Sequence, residues 1–339
     1  MRRLGCLLLI CCLLLSGCAT PQTNTKQRYT ATFLELFDTV TTIVGYADSK
    51  EAFEQKAQAI RDDLKRYHEL FDIYNDYDVP NIKTINDNAG IQPVAVDPII
   101  MELLDDCREY YRLTQGNVNV MMGSVLKLWH DARADAERDP ANAVLPSEAA
   151  LKAAAEHTSM ASLVIDEAAG TVYLLDAKAR LDVGAVAKGW ATQKVAENAP
   201  AGLLISVGGN VCATGPKAEE KPWVVGIQDP DDAEKNLCTL TLSTGSVVTS
   251  GDYQRTYRVN GTEYHHIIDP QTLLPARKWR SVSIVCNDSG LADALSTGLF
   301  LMDREQGEAL AAQCGADVMW VDADRQEYRT AGFESRLRK

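Results

Sequence analysis

Two oxygen-bearing side chains, Asp293 and Thr297, stand four residues apart in the run Leu291–Met302, so on a helix they share one face. A carboxylate and a hydroxyl so placed are hard ligands suited to Mg²⁺ or Ca²⁺. The same spacing also describes a helix with a merely solvated polar face. Upstream, the segment Leu181–Trp190 sets Gly184 and Gly189 around an expected strand-to-helix turn, where free backbone N–H groups can meet a phosphate. It is not a Walker A loop, because Lys188 precedes its glycine and no Ser or Thr follows. Gly208-Gly209 with Gly215 likewise misses GxGxxG, and tight turns are the simpler explanation of either glycine set.

A third candidate is His266, on the second strand of a hairpin centred on Asn260-Gly261, a strong short-range hairpin signal. A two-residue turn there places Arg255 opposite His266 and Tyr257 opposite Tyr264, with all four side chains on one face. A His in that setting can act as a general base near neutral pH, or it can be structural. His265 points to the other face. The acidic run Asp229–Glu234 lacks the Gly and the alternating ligands of a calcium loop and reads as a solvated turn.

These residues need elements to hold them. Val, Ile, Thr and Phe enrich Thr32–Tyr46, which reads as a strand or hairpin. Phe53, Ala57, Ile60, Leu64, Tyr67 and Phe71 recur at three and four, predicting a helix from Ser49 to about Phe71. Asp97-Pro98 is an N-cap followed by Pro at the first helical position, opening a helix that stops before Gly116. Short strands follow at 162–166, 171–175, 203–207, 223–228 and 236–242, with one helix starting near Ala185. The last part reads strand (282–286), helix (291–302), helix (304–314) and strand (317–321). Runs of helix and of antiparallel strand together indicate an α+β fold.

The chain begins Met1-Arg2-Arg3, is apolar from Leu4 to Leu15, and reads Leu15-Ser16-Gly17-Cys18 before turning polar. The apolar run falls short of the roughly 20 residues of a membrane span. The pattern is a signal peptide over residues 1–17, with Cys18 placed as the lipidated residue of a bacterial lipoprotein. Residues 18–28 then form a lipid-bearing, flexible tether, and residues 29–339 one large folded domain, since no linker or repeat divides them. Cys107, Cys212, Cys238, Cys286 and Cys314 are odd in number and lack CxxC spacing, indicating buried thiols and not a disulfide framework or zinc site. A net charge of −13 argues against a nucleic-acid surface, so bound phosphate must be held locally.

Four ordered blocks, LDVGAVAKGWA, SVGGN, TSGDYQRTYRVNGTEYHHIIDPQT and ADALSTGLF, resemble the ApbE family of FAD:protein FMN transferases, and the likeness runs from Phe37 to the C-terminal helices. The resemblance implies a single T-fold-related domain with mixed and antiparallel sheets and flanking helices. It implies Mg²⁺, or Ca²⁺ or Mn²⁺ in its place, held by Asp293, Thr297 and the Ala185 carbonyl. FAD as substrate would contact Phe37, Tyr74, Asn117, Val118, Asn119, Asp182, Lys188 and Ile267, with His266 as base and Lys188 on phosphate or orienting Asp182. Three positions depart from the family pattern: Gly116-Asn-Val-Asn119 stands for G-x-F-D, Phe37-Asp-Thr39 for Met-Gly-Thr, and Leu273 for a Gly. The implied partner is an exported flavoprotein subunit whose Thr or Ser is flavinylated, met at the outer face of the cytoplasmic membrane or in the periplasm. A metal-dependent FAD pyrophosphatase and a non-catalytic flavin-binding lipoprotein are the alternatives.

Overall fold

The computed structural model describes residues 26–338, so Cys18 and the signal segment lie outside the described residues. Eight strands form one sheet whose spatial order follows the chain: Gln27–Leu36, Thr39–Ala47, Leu203–Val207, Asn210–Ala213, Gly245–Gly251, Trp279–Cys286, Asp317–Asp322 and Glu327–Arg329. Every neighbouring pair is antiparallel, so the sheet is a single meander interrupted by insertions. The architecture is α+β, as the sequence indicates.

Strand alternation buries both faces of this sheet. Val248, Val282, Ile284, Val318 and Trp320 face the helices Ser289–Phe300 and Arg304–Gln313. Val247, Val285, Met319 and Val321 point the other way, into a core closed by the two-stranded ribbon Trp223–Asp229/Asp232–Leu242 and by Phe333 of the Ala331–Ser335 helix. Near the first strands, Lys50–Phe71 and Ala187–Asn198 cover Ile43, Leu203 and Ile205.

The start signals hold: Ser49 Oγ accepts from Ala52 N, and Asp97 Oδ1 accepts from Ile99 N ahead of Pro98. Several elements were not expected, among them two helices and two strands that bear on the site and the main sheet. Gly123–Arg138 opens without a side-chain cap, since Met122 at the cap position has no capping oxygen, and Gly123 lies so close to the Arg180 carbonyl that no Cβ fits. The short helix Glu148–Ala155 follows, and both lie outside the main sheet. Gly208 and Gly209, at φ 57° and 91°, form a two-residue hairpin turn that opens the short strand Asn210–Ala213. Gly245–Gly251 completes the sheet beside it.

The Asn260-Gly261 hairpin is also shorter than the spacing suggests. Tyr257 does pair with Tyr264, but the ladder ends there, and Arg255 turns left-handed at φ 48° instead of pairing with His266. All five cysteines in the described residues are free, with Cys107, Cys212 and Cys286 buried. No helix among the described residues is long and apolar enough to cross a membrane.

Candidate active site

The site begins where two helices cross. Gly189, in the first turn of Ala187–Asn198, lies against Asp293 of Ser289–Phe300, and a Cβ on Gly189 would run into Asp293 Cβ and the Ser289 carbonyl oxygen. At that range the Gly189 amide donates to Asp293 Oδ2 at 2.8 Å. In a regular helix this amide would bond the carbonyl four residues back, that of Ala185. Its diversion leaves the Ala185 carbonyl with no hydrogen bond among the described residues.

Two more oxygens are open at the same place. Asp293 Oδ1 and Thr297 Oγ1, one helical turn apart, accept nothing among the described residues. Asp293, Thr297 and Ala185 all line one cleft of about 470 Å³. Burial pushes the Asp293 carboxyl up, while Lys188, with Nζ 3.7 Å from Oδ2, and the Gly189 amide favour its charged form. A buried carboxylate with a free oxygen, a hydroxyl and an unbonded carbonyl form a hard-oxygen set that fits Mg²⁺. No group of three or more His, Cys, Asp or Glu gathers among the described residues, so neutral oxygens must complete any such set.

Lys188 reaches Asp293 and the Gly184 carbonyl (3.4 Å), not Asp182. Asp182 is oriented by the Gly184 amide at 2.9 Å; burial raises its pKa, and the amide, Arg255 and His130 pull the other way.

His266 enters from the loop side of the cleft, and its Nδ1 lies 3.1 Å from the Gln254 carbonyl oxygen. A carbonyl only accepts, so Nδ1 carries the proton and Nε2 is left as an open acceptor. Burial, then the charge of Arg255, lowers His266 to about 3, which keeps the ring neutral. His265 is fully engaged elsewhere, with Nε2 2.6 Å from the Ala276 carbonyl and Nδ1 taking the Ile267 amide.

Tyr74, Asn117, Val118, Asn119, Asp182, Lys188 and Ile267 line the same cleft. Asn119 spends its side chain on backbone, donating to Thr158 O and accepting from Met121 N, a pairing that a carboxylate could not complete. Phe37 stands off the wall at φ 54° with its ring on His68, and its neighbours Asp38 and Thr39 line the cleft. The sequence reading missed His130 and Arg133, carried by the uncapped Gly123–Arg138 helix. His130 stacks on Tyr74, ring centroids 4.8 Å apart, and Arg133 reaches its Nδ1 at 3.2 Å. The Asp229–Glu234 run is a turn whose Asp229 and Asp231 are paired with Arg325, leaving no cation loop.

The lowered pKa of His266 makes a stability prediction. The unfolded imidazole titrates near 6.5 and the folded one near 3, so the unfolded chain binds more protons between these values. The stabilising preference for the neutral ring is fully present above pH 6.5 and is lost as pH falls toward 3. Urea midpoints of wild type and His266→Gln should therefore diverge from pH 7 to pH 4, with wild type losing more; parallel curves would contradict the assignment.

The ApbE family model matches residues 37–320. A Treponema pallidum protein described as an FAD:protein FMN transferase is 33% identical over 277 residues, covering 76% of this chain and 75% of that one. A Klebsiella pneumoniae protein of the same description is 27% identical, covering 95% and 93%. The crystal structure of the ApbE protein from Thermotoga maritima superposes with a TM-score of 0.82 at 30% identity, covering 92% of this chain and all of that one. The flavin transferase ApbE from Vibrio cholerae shares the fold, with a TM-score of 0.75 at 23% identity over 92% of this chain and all of that one. With the cleft described above, the match over residues 37–320 places the chain in the ApbE family.

Proposed function

We propose that the chain transfers FMN from FAD to a Thr or Ser hydroxyl of an acceptor protein and releases AMP. The observation that carries this reading is the placement of an open His266 Nε2 in the same cleft as three unbonded oxygens, those of Asp293, Thr297 and Ala185. Those oxygens would hold Mg²⁺, which supplies charge neutralisation at a pyrophosphate.

The chain's own groups do the rest. Lys188 sets a positive charge beside the buried Asp293, and the exposed ring of Tyr74 with its His130 partner offers a stacking surface for a flavin or adenine. His266 takes the proton of the attacking hydroxyl at Nε2 while Nδ1–H stays on the Gln254 carbonyl. An anionic pyrophosphate beside the ring favours the imidazolium that results, a role worth about 10²–10⁴ in rate.

Full-length protein mixed with FAD, Mg²⁺ and a Thr-bearing acceptor peptide should yield AMP and a flavin-bearing peptide in equal amounts. Free FMN with unmodified peptide would establish a pyrophosphatase instead, and intact bound FAD would leave only a binding protein.

The location is proposed on the N-terminal residues alone. Cys18 would carry the lipid, placing the cleft on the outer face of the cytoplasmic membrane within reach of an exported electron-transfer subunit. Cys18→Ser should move the protein from the membrane fraction to the soluble one; unchanged membrane association would rule out the anchor.

A further inference from the structure

Between strand Gly245–Gly251 and the Tyr257 hairpin, the chain crosses the cleft in a short loop of which Gln254 and Arg255 line the wall. Gln254 offers its carbonyl to His266 Nδ1. Arg255, next in sequence, takes φ 48°, a left-handed conformation that glycine adopts freely and a long side chain does not. The loop holds it there from both sides. At its root the Asp252 amide donates to the Arg280 carbonyl at 2.9 Å and Arg280 Nε donates back to Asp252 Oδ2 at 2.8 Å, while Arg133 makes a long contact, 3.5 Å, to the Arg255 carbonyl. A backbone outlier fixed by its surroundings at a cleft wall points to a use for the side chain.

The Arg255 guanidinium has no hydrogen bond or ion pair among the described residues. The other cations of the cleft are engaged: Lys188 with Asp293 and the Gly184 carbonyl, Arg133 with His130 and Glu137. Arg255 lines the same cleft wall as Asp182, Asp293 and His266. In a chain of net charge −13, an exposed, unpaired guanidinium held at strained backbone in a cleft has the chemistry of an anion receptor. Its planar fork matches phosphate oxygens in pairs.

We infer that Arg255 is a further catalytic residue, whose guanidinium grips non-bridging oxygens of the FAD pyrophosphate at the phosphorus under attack. The inference rests on the transferase reading. In that reaction the acceptor hydroxyl oxygen bonds to the FMN-side phosphorus and its proton passes to His266 Nε2. The bond from that phosphorus to the bridging oxygen breaks, and the bridging oxygen leaves with AMP, keeping the electron pair. Arg255 binds both ground state and transition state and holds the phosphorus beside His266, whose Nδ1 is fixed by the carbonyl of Gln254, the residue before Arg255.

Arg255→Gly separates the side chain from the backbone, because it relieves the left-handed strain while deleting the guanidinium. In the full-length protein it should keep or raise the thermal midpoint, lower kcat/KM for AMP release by about 10²–10³, and weaken ADP binding at least tenfold. Riboflavin, which has no phosphate, should bind as to wild type, and Arg255→Lys should recover part of the loss. Wild-type turnover by Arg255→Gly, equal losses of ADP and riboflavin binding, or a collapsed thermal midpoint would each overturn the assignment. Arg255-dependent ADP binding by a wild type that transfers no flavin would instead sink the transferase reading and leave the phosphate contact standing.

Discussion

The site depends on the close crossing of two helices at Gly189. One missing side chain lets the Ala187–Asn198 and Ser289–Phe300 helices approach until a backbone amide of one reaches a carboxylate of the other. That single hydrogen bond has two effects. It pins Asp293, a buried carboxylate that would otherwise be costly to keep charged, and it releases the Ala185 carbonyl from the helix pattern. Side-chain and main-chain oxygens thus become available together, with Thr297 a turn further along.

The meander explains why this crossing comes to line a cleft. The sheet itself provides a doubly covered base, while most of the cleft wall comes from segments inserted between its strands. The long insertion between Ala47 and Leu203 brings Tyr74, Asn119, His130, Asp182 and Lys188; the one between Gly251 and Trp279 brings Arg255 and His266; the one after Cys286 brings Asp293 and Thr297. Loops on a rigid scaffold can vary in chemistry without disturbing the core. The ion pairs of Arg280 with Asp252 and Asp231 tie the His266 side of the cleft back to that scaffold.

Legibility in the sequence followed the range of the forces involved. Local signals were readable: the Ser49 and Asp97 caps, the 3.6-residue periodicity of Lys50–Phe71, the Asn260-Gly261 turn, and the shared face of Asp293 and Thr297. The non-local ones were not. Nothing near Gly189 announces that its amide bonds a residue 104 positions away, and the Gly123–Arg138 helix has no cap to mark its start. Arg255 was placed on a strand because hairpin alternation was extended past Tyr257, where the hydrogen bond from His266 to Gln254 and the left-handed turn take over. The four family blocks made the joint site recognisable before any geometry did, although each block alone was ambiguous. The Phe37 position was the least informative, since the cleft is lined by the two residues after it.

The most direct measurement is Mg²⁺-supported FAD binding by Gly189→Ala against wild type, followed by titration with the metal. A methyl group there must push the helices apart, so the metal-dependent gain in FAD affinity should fall at least tenfold while unfolding shows a folded protein destabilised by about 1–3 kcal/mol. Wild-type metal-supported affinity in a folded Gly189→Ala protein would contradict the claim that this crossing sets the site.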